Sequence, residues 1–141
     1  MKSDGEKTSL GEFGLIARIA SEWPRMADGM PLGIGDDAAL LQHAGGRQFC
    51  VTTDLLLERV HFSFDYCSPS DVGYKSAMVN LSDVAAMGAR PRWAFLSLAL
   101  KKKSDPALLE GFMAGFSEAL KKHGVILAGG DMSASLSDAC V

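Results

Sequence analysis

The chain has 141 residues, 48% of them hydrophobic and 22% charged, with a formal net charge of −3 and a pI near 5.5. That length suits one domain with a core of its own. The acidic balance argues against a partner held mainly through nucleic-acid phosphates, which calls for a basic face.

Residues 1–8 are polar and predict a disordered N-terminus, leaving 9–141 as the folded domain. Ser9 followed by Glu12 reads as a capping box opening a helix with Leu15, Ile16, Ile19 and Trp23 on one side, stopped by Pro24. Asp28 to Asp37 is a loop rich in Gly, Pro and Asp, long for a simple connection and more in keeping with a functional one. Ala38–Gln42 and Gln48–Thr53 predict two strands around a turn at Ala44-Gly45-Gly46, with a third extended piece at Arg59–Phe62. Ser70 is placed to cap a second helix running through Met87 to Gly88.

Arg92–Leu100 predicts a strand. Asp105 then caps a third helix with Pro106 at its first position and a buried stripe of Leu108, Leu109, Phe112, Met113, Phe116 and Leu120. Lys121, Lys122 and His123 complement its C-terminal dipole before Gly124. Val125–Ala128 predicts a short strand entering Gly129-Gly130-Asp131, and the residues from Met132 onward read as an unfinished element. Mixed helix and strand predicts an α+β or α/β fold. Lys101-Lys102-Lys103 reads as a solvated turn. Cys50, Cys67 and Cys140 lack CxxC spacing and suit reduced thiols. With no apolar signal core and no run of the roughly 18 residues a membrane span needs, a cytoplasmic place is expected.

Aspartates carry the chemical signal. Asp36 and Asp37 lie in the glycine loop, Asp54 ends a strand, Asp83 sits inside an apolar helix and Asp131 ends the last strand. On a helical wheel Asp83 shares a polar face with Ser76 and Asn80, opposite Tyr74, Ala77, Leu81, Val84 and Ala85. Caps and turns account for Asp28, Asp71, Asp105 and Asp138, and are open for Asp36. Asp54, Asp83 and Asp131 together suit an all-oxygen set for Mg²⁺, a hard ion shared with substrate phosphates. There is no zinc set, EF-hand spacing, P-loop or dinucleotide fingerprint. Gly33-Ile34-Gly35 and Gly129-Gly130 could approach an anion through backbone N–H groups, although a plain turn explains each alone. His61 beside Phe62 suits either a half-buried strand residue or a site residue.

Five segments together resemble the thiamine-monophosphate kinases, within the wider aminoimidazole-ribonucleotide synthetase superfamily. They are Gly11–Ile16, Gly33–Ala39, Thr52-Thr53-Asp54 with His61-Phe62, Val79–Ala89, and Gly129-Gly130-Asp131. The resemblance spans about residues 10–135 and implies an α+β fold, its mixed sheet covered by helices on one face and pairing with a second copy in a homodimer. It implies direct transfer of the ATP γ-phosphoryl group to the phosphate of thiamine monophosphate, with several Mg²⁺ ions. Asp36, Asp37, Thr52, Thr53, Asp54, Asp83 and Asp131 would be metal ligands, with Gly130 and Asp131 against the ATP phosphates and His61 on thiamine monophosphate. No general base is implied. The family usually follows Gly-Gly-Asp with threonines, whereas Met132 and Ser133 stand here, and the family's second domain is not in this chain.

Two other readings compete. Another ATP-using synthetase of the superfamily would change the acceptor. Against it, no cysteine sits in an N-terminal glycine loop and Leu55-Leu56-Leu57-Glu58-Arg59, without a lysine, follows Asp54. A dimerising fragment that kept the fold without the chemistry would have no use for all five aspartates.

Overall fold

The computed structural model describes residues 11–141. Its elements are α1 (Glu12–Ala20), β1 (Ala39–Gln42), β2 (Gln48–Val51), α2 (Pro69–Ala86), β3 (Trp93–Lys101), α3 (Pro106–Lys122) and β4 (Ile126–Ser135). The expected Ser9 cap and the 1–8 segment lie outside the described residues, and α1 starts after Gly11 with no side-chain cap. Trp23 falls beyond its end. The apolar stripe of α1 is exposed, Phe13 most of all.

The N-cap of helix α2 lies two residues before the expected one. Ser68, not Ser70, is its N-cap, and Asp71 completes a reciprocal capping box, with Pro69 supplying the preset φ of a first turn. The Ser68 hydroxyl and backbone N–H hydrogen bonds hold the Asp71 carboxyl below its ordinary pKa. Helix α3 follows its sequence signals closely. The Asp105 carboxylate accepts from Ala107 N–H at 2.9 Å, and Phe112, Phe116 and Leu120 are buried.

β1 and β2 form an antiparallel hairpin, Leu40 opposite Cys50. β3 and β4 run parallel across the α3 connection. Antiparallel bridges extend the array on the far side of β3. Ala99 exchanges both backbone hydrogen bonds with Cys140, at 2.8 and 2.9 Å, and Leu56 does the same with Val141 at 2.9 Å. A mixed array thus runs β4, β3, 139–141, 56–58, while the hairpin stays separate. Along β3, Trp93, Phe95 and Ser97 are exposed while Leu98 is buried, so helices cover one face and leave the other open.

Three expectations need correction here. β4 does not stop at Ala128 and turn. It runs on through Met132 to Ser135, because a bulge between the Ala94 and Phe95 pairs lets Gly129 and Gly130 stay in the ladder. Arg59–Phe62 is not extended but a tight turn, with Arg59 at φ 67° and the Leu57 carbonyl accepting from both Val60 and His61 N–H. Lys101 is not part of a free turn either: it ends β3 near Glu58 and Asp138, and Arg59 also pairs with Asp138 in the bend at 136–138.

The core joins Val72 and Ala77 of α2 with Phe112, Phe116, Ala119 and Leu120 of α3, and with Leu98, Leu56 and Phe62. The helices meet backbone to backbone. A Cβ on Gly73 would stand 2.0 Å from the Phe112 carbonyl oxygen, and one on Gly115 would stand 1.9 Å from that of Ser70. Neither neighbour is a side chain that can swing away, so an added methyl must part the helices. Gly73→Ala and Gly115→Ala are each expected to cost about 1–3 kcal/mol or more, read as a lower urea midpoint. A midpoint equal to that of the parent chain would show that the helices are not in this contact.

Candidate functional site

The polar face of α2 meets the chain leaving β2. Thr52 donates its hydroxyl to Asp83 Oδ2 at 2.9 Å and lies 3.2 Å from the Asp37 carbonyl oxygen. Asn80 Oδ1 accepts from Asp54 N–H at 3.1 Å, while the Asn80 amide donates to the Ser76 carbonyl. β2 ends at Val51 rather than Thr53. The Asp54 backbone N–H is spent on Asn80 of α2 and does not serve a ladder. Ser76, expected on the same polar face, is buried and satisfied by Gly73 within its own helix.

Asp37, Thr52, Asp54 and Asp83 are therefore drawn together, with Asn80 as a member that the wheel placed but whose hydrogen bond to Asp54 it did not. Burial, and then the charge of Asp83, push the Asp54 carboxyl above its ordinary pKa, with His61 acting in the opposite direction. The same two causes, in the same order, raise the Cys50 thiol. Asp36 turns its carboxylate back to the Asp37 N–H, which is the turn-forming role left open for it. The glycine loop is held from outside by Arg25, whose Nε donates to the Ile34 carbonyl at 3.1 Å and whose guanidinium fills the place of a Cβ at Gly35, φ 114°. Thr53 is exposed, and no side-chain hydrogen bond engages it among the described residues.

His61 lies beyond Asp54, in the tight turn. Its Nδ1 accepts from Leu57 N–H at 2.9 Å, so the neutral ring carries its proton on Nε2. Together with Asp54, Leu55, Leu56, Lys75 and Val79 it lines a cleft of about 130 Å³. The Lys75 ammonium, one helical turn or so before Asn80, donates to the His61 carbonyl. Sequence reasoning missed Lys75. Its spacing from Val79 (i, i+4) on α2 was available, but nothing placed the 57–62 turn beside it.

Asp131 is apart from this group. It sits within β4 opposite Ser97, accepts a 3.3 Å hydrogen bond from Ser133, and joins Gly129, Gly130, Met132, Leu96, Leu98, Met113 and Leu127 around a second, more open groove of about 330 Å³. Gly130 is required there by packing, since a Cβ would lie 1.8 Å from the Leu96 carbonyl oxygen. Among the described residues, no three His, Cys, Asp or Glu side chains converge closely enough to hold a metal ion by themselves. The donors present are nonetheless all oxygen, and two carboxylates sense each other's charge. That fits an ion completed by water and substrate oxygens, as Mg²⁺ commonly is. Among the described residues, no helix is long and apolar enough to cross a membrane.

Residues 35–140 match the family model of the N-terminal domain of AIR synthase related proteins, and the chain belongs to that family. Within it, the similarity is to thiamine-monophosphate kinases. That of Haemophilus influenzae is 40% identical over 127 residues, covering 87% of this chain and 37% of the relative. That of Bacillus subtilis is 40% identical over 124 residues, covering 86% and 37%. Among solved structures, AaThiL complexed with AMPPCP and TMP superposes with a TM-score of 0.82 at 34% identity, covering 93% of this chain and 40% of that one. The chain thus spans little more than a third of the length of these relatives.

Because the folded chain holds the Asp54 proton more tightly than the unfolded chain does, this group contributes stability below the ordinary carboxylate pKa. That contribution is lost as pH rises through the raised value. Asp83→Asn removes the neighbouring charge. In EDTA, the Asp54 titration midpoint followed by carboxyl ¹³C NMR is expected to move down, and a midpoint left in place would show that the two carboxylates do not interact.

Proposed function

We propose that this chain is the metal- and nucleotide-handling N-terminal part of a thiamine-monophosphate kinase acting in the cytoplasm. One observation carries the reading: the Thr52 hydroxyl donates to the Asp83 carboxylate beside the Asp37 backbone carbonyl, and Asn80 holds Asp54 next to them, which gathers oxygen donors next to a cleft lined by a histidine and a lysine. The similarity to kinases that cover the same residues supports it.

Asp37, Thr52, Asp54 and Asp83 are the residues that would hold Mg²⁺, together with Asp36, Thr53 and, on β4, Asp131. When bound, the metal would supply positive charge to neutralise the phosphates of ATP and acceptor. The chain's own work is positioning. Gly130 and Asp131, at the apolar groove, suit the nucleotide side, and His61 suits the acceptor. In the reaction an oxygen of the acceptor phosphate attacks the γ-phosphorus of ATP. The bond from that phosphorus to the β–γ bridging oxygen breaks, thiamine diphosphate forms, and ADP leaves with the electron pair. No general base is needed, since the attacking oxygen is already anionic and catalysis rests on alignment and charge.

A homodimer is part of this reading. Every residue of β4 but the last is exposed, and Phe95, Ile126 and Met132 present large apolar side chains to solvent. A second copy laid against the open face would remove that surface from water. Another acceptor within the same superfamily stays the alternative, because much of the acceptor pocket would come from the remainder of the protein.

The complete gene product, supplied with Mg·ATP and thiamine monophosphate, is expected to yield thiamine diphosphate and ADP. Asp83→Asn should reduce turnover to background while the circular dichroism spectrum is unchanged. Nucleotide binding that needs Mg²⁺, without thiamine diphosphate, would shift the reading to another acceptor. Full turnover by Asp83→Asn would remove the carboxylate cluster from the mechanism.

A further inference from the structure

The His61 ring takes its position from Leu57. The Leu57 N–H donates to His61 Nδ1, and the Leu57 carbonyl accepts from the His61 N–H, each at 2.9 Å. Leu57 is held in turn by its two neighbours. Leu56 exchanges both backbone hydrogen bonds with Val141, and the Glu58 N–H donates to the Ala139 carbonyl at 2.9 Å. In an antiparallel ladder this register calls for a return bond from the Ala139 N–H to the Glu58 carbonyl. The return bond goes instead to the Glu58 side chain, whose Oε2 accepts from the Ala139 N–H at 2.9 Å.

The reason lies in the next residue. Arg59 has φ 67°, a left-handed conformation that a residue with a Cβ seldom adopts, and its N–H is given to the Phe62 carbonyl. The main chain therefore leaves the strand at Glu58, and a side chain completes the pair. Ala139 is 4% exposed, so without the carboxylate its N–H would be buried and unpaired. The Glu58 side chain is itself only 10% exposed, and a charged acceptor makes the stronger kind of hydrogen bond. Its ionic partner Lys101, 3.6 Å away, is far more open to solvent, as are Arg59 and Asp138 beyond it. Ion pairs in such settings contribute little.

We propose that Glu58 is a positioning residue. Its carboxylate clamps Ala139 where the backbone carbonyl does not, and through Leu57 it fixes where the His61 ring stands. Glu58 is outside the six residues that line the cleft, so it acts on the site only through the turn. The hydrogen bond rather than the charge does this, and the 139–141 segment becomes part of the scaffold of the site. The inference rests on the kinase reading for its effect on turnover, but not for the clamp.

Four variants test it. Glu58→Ala removes the acceptor, and Glu58→Asp draws it back by one methylene. Glu58→Gln keeps an oxygen within reach without the charge, and Lys101→Met removes only the ion pair. In this chain, kept in EDTA about two pH units above the ordinary imidazole pKa of about 6.5, the Leu57 amide and His61 Nδ1 are expected to show a ¹⁵N–¹⁵N coupling across their hydrogen bond. Glu58→Ala and Glu58→Asp should lose that coupling, while Glu58→Gln and Lys101→Met keep it; Glu58→Asp carries the test should Glu58→Ala not fold. In the complete gene product, Glu58→Ala and Glu58→Asp should lower kcat/KM for thiamine monophosphate on the order of tenfold or more, with the KM for ATP nearly unchanged and recovery in Glu58→Gln. A coupling absent from the parent chain, or kept in both Glu58→Ala and Glu58→Asp, would overturn the clamp. So would a loss in Glu58→Gln or Lys101→Met equal to that in Glu58→Ala, because the effect would then belong to charge. The expected pattern of couplings, together with no thiamine diphosphate from the parent enzyme, would uphold the clamp and defeat the kinase reading instead.

Discussion

Helices α2 and α3 touch through their backbones at Gly73 and Gly115, and the arrangement of the candidate site follows from that contact. Side chains larger than hydrogen at either position would collide with a carbonyl oxygen, so the helices can close only there. With the crossing set, Val72, Ala77, Phe112 and Phe116 interlock beneath it, and α2 has one possible rotation about its axis. That rotation turns Asn80 and Asp83 toward the chain leaving β2 and carries Lys75 to the 57–62 turn. The site is thus an outcome of packing before it is one of electrostatics.

Electrostatics then works against the fold. Burial, and then the charge of Asp83, disfavour the ionised Asp54 carboxyl, and neutral donors, the Thr52 hydroxyl and the Asp54 backbone amide, hold the two residues in place. Such tension is expected where a charged ligand completes the set, since function draws on groups that stability alone would not retain. The loops on both sides are braced accordingly. Arg25 grips the glycine loop from outside, and the 139–141 segment, inserted between β3 and residues 56–58, stiffens the strand that leads into the His61 turn.

The two grooves have different characters. The one at Asp54 is small and sets Asp54, His61 and Lys75 among aliphatic side chains. The one at Asp131 is broader and includes Gly129 and Gly130 in its lining. Asp131 and Asp83 have no hydrogen bond in common among the described residues.

Local signals in the amino-acid order were enough for much of this. The Asp105–Pro106 start of α3, its buried stripe and the β1–β2 hairpin rest on short-range rules of capping and periodicity. Charge in an apolar setting grouped Asp54 and Asp83 with Asp131, which stands apart from them, while Asp37 and Thr52 entered only through the family resemblance. What lay beyond them depended on contacts between distant residues. Ser68 rather than Ser70 as the cap of α2 was itself a local matter, misread because both serines precede apolar sequence. The persistence of β4 through Gly129-Gly130 could not be seen, because a glycine pair signals a turn unless a neighbouring strand needs its missing Cβ, and that neighbour, Leu96, is more than thirty residues away. Cys140 beside Ala99 and Lys75 beside His61 are of the same kind. Sequence determined which residues could form helices and which could bear charge. Only the tertiary structure decided which of them meet, because close approach is set by the packing of whole elements and leaves no mark in local order.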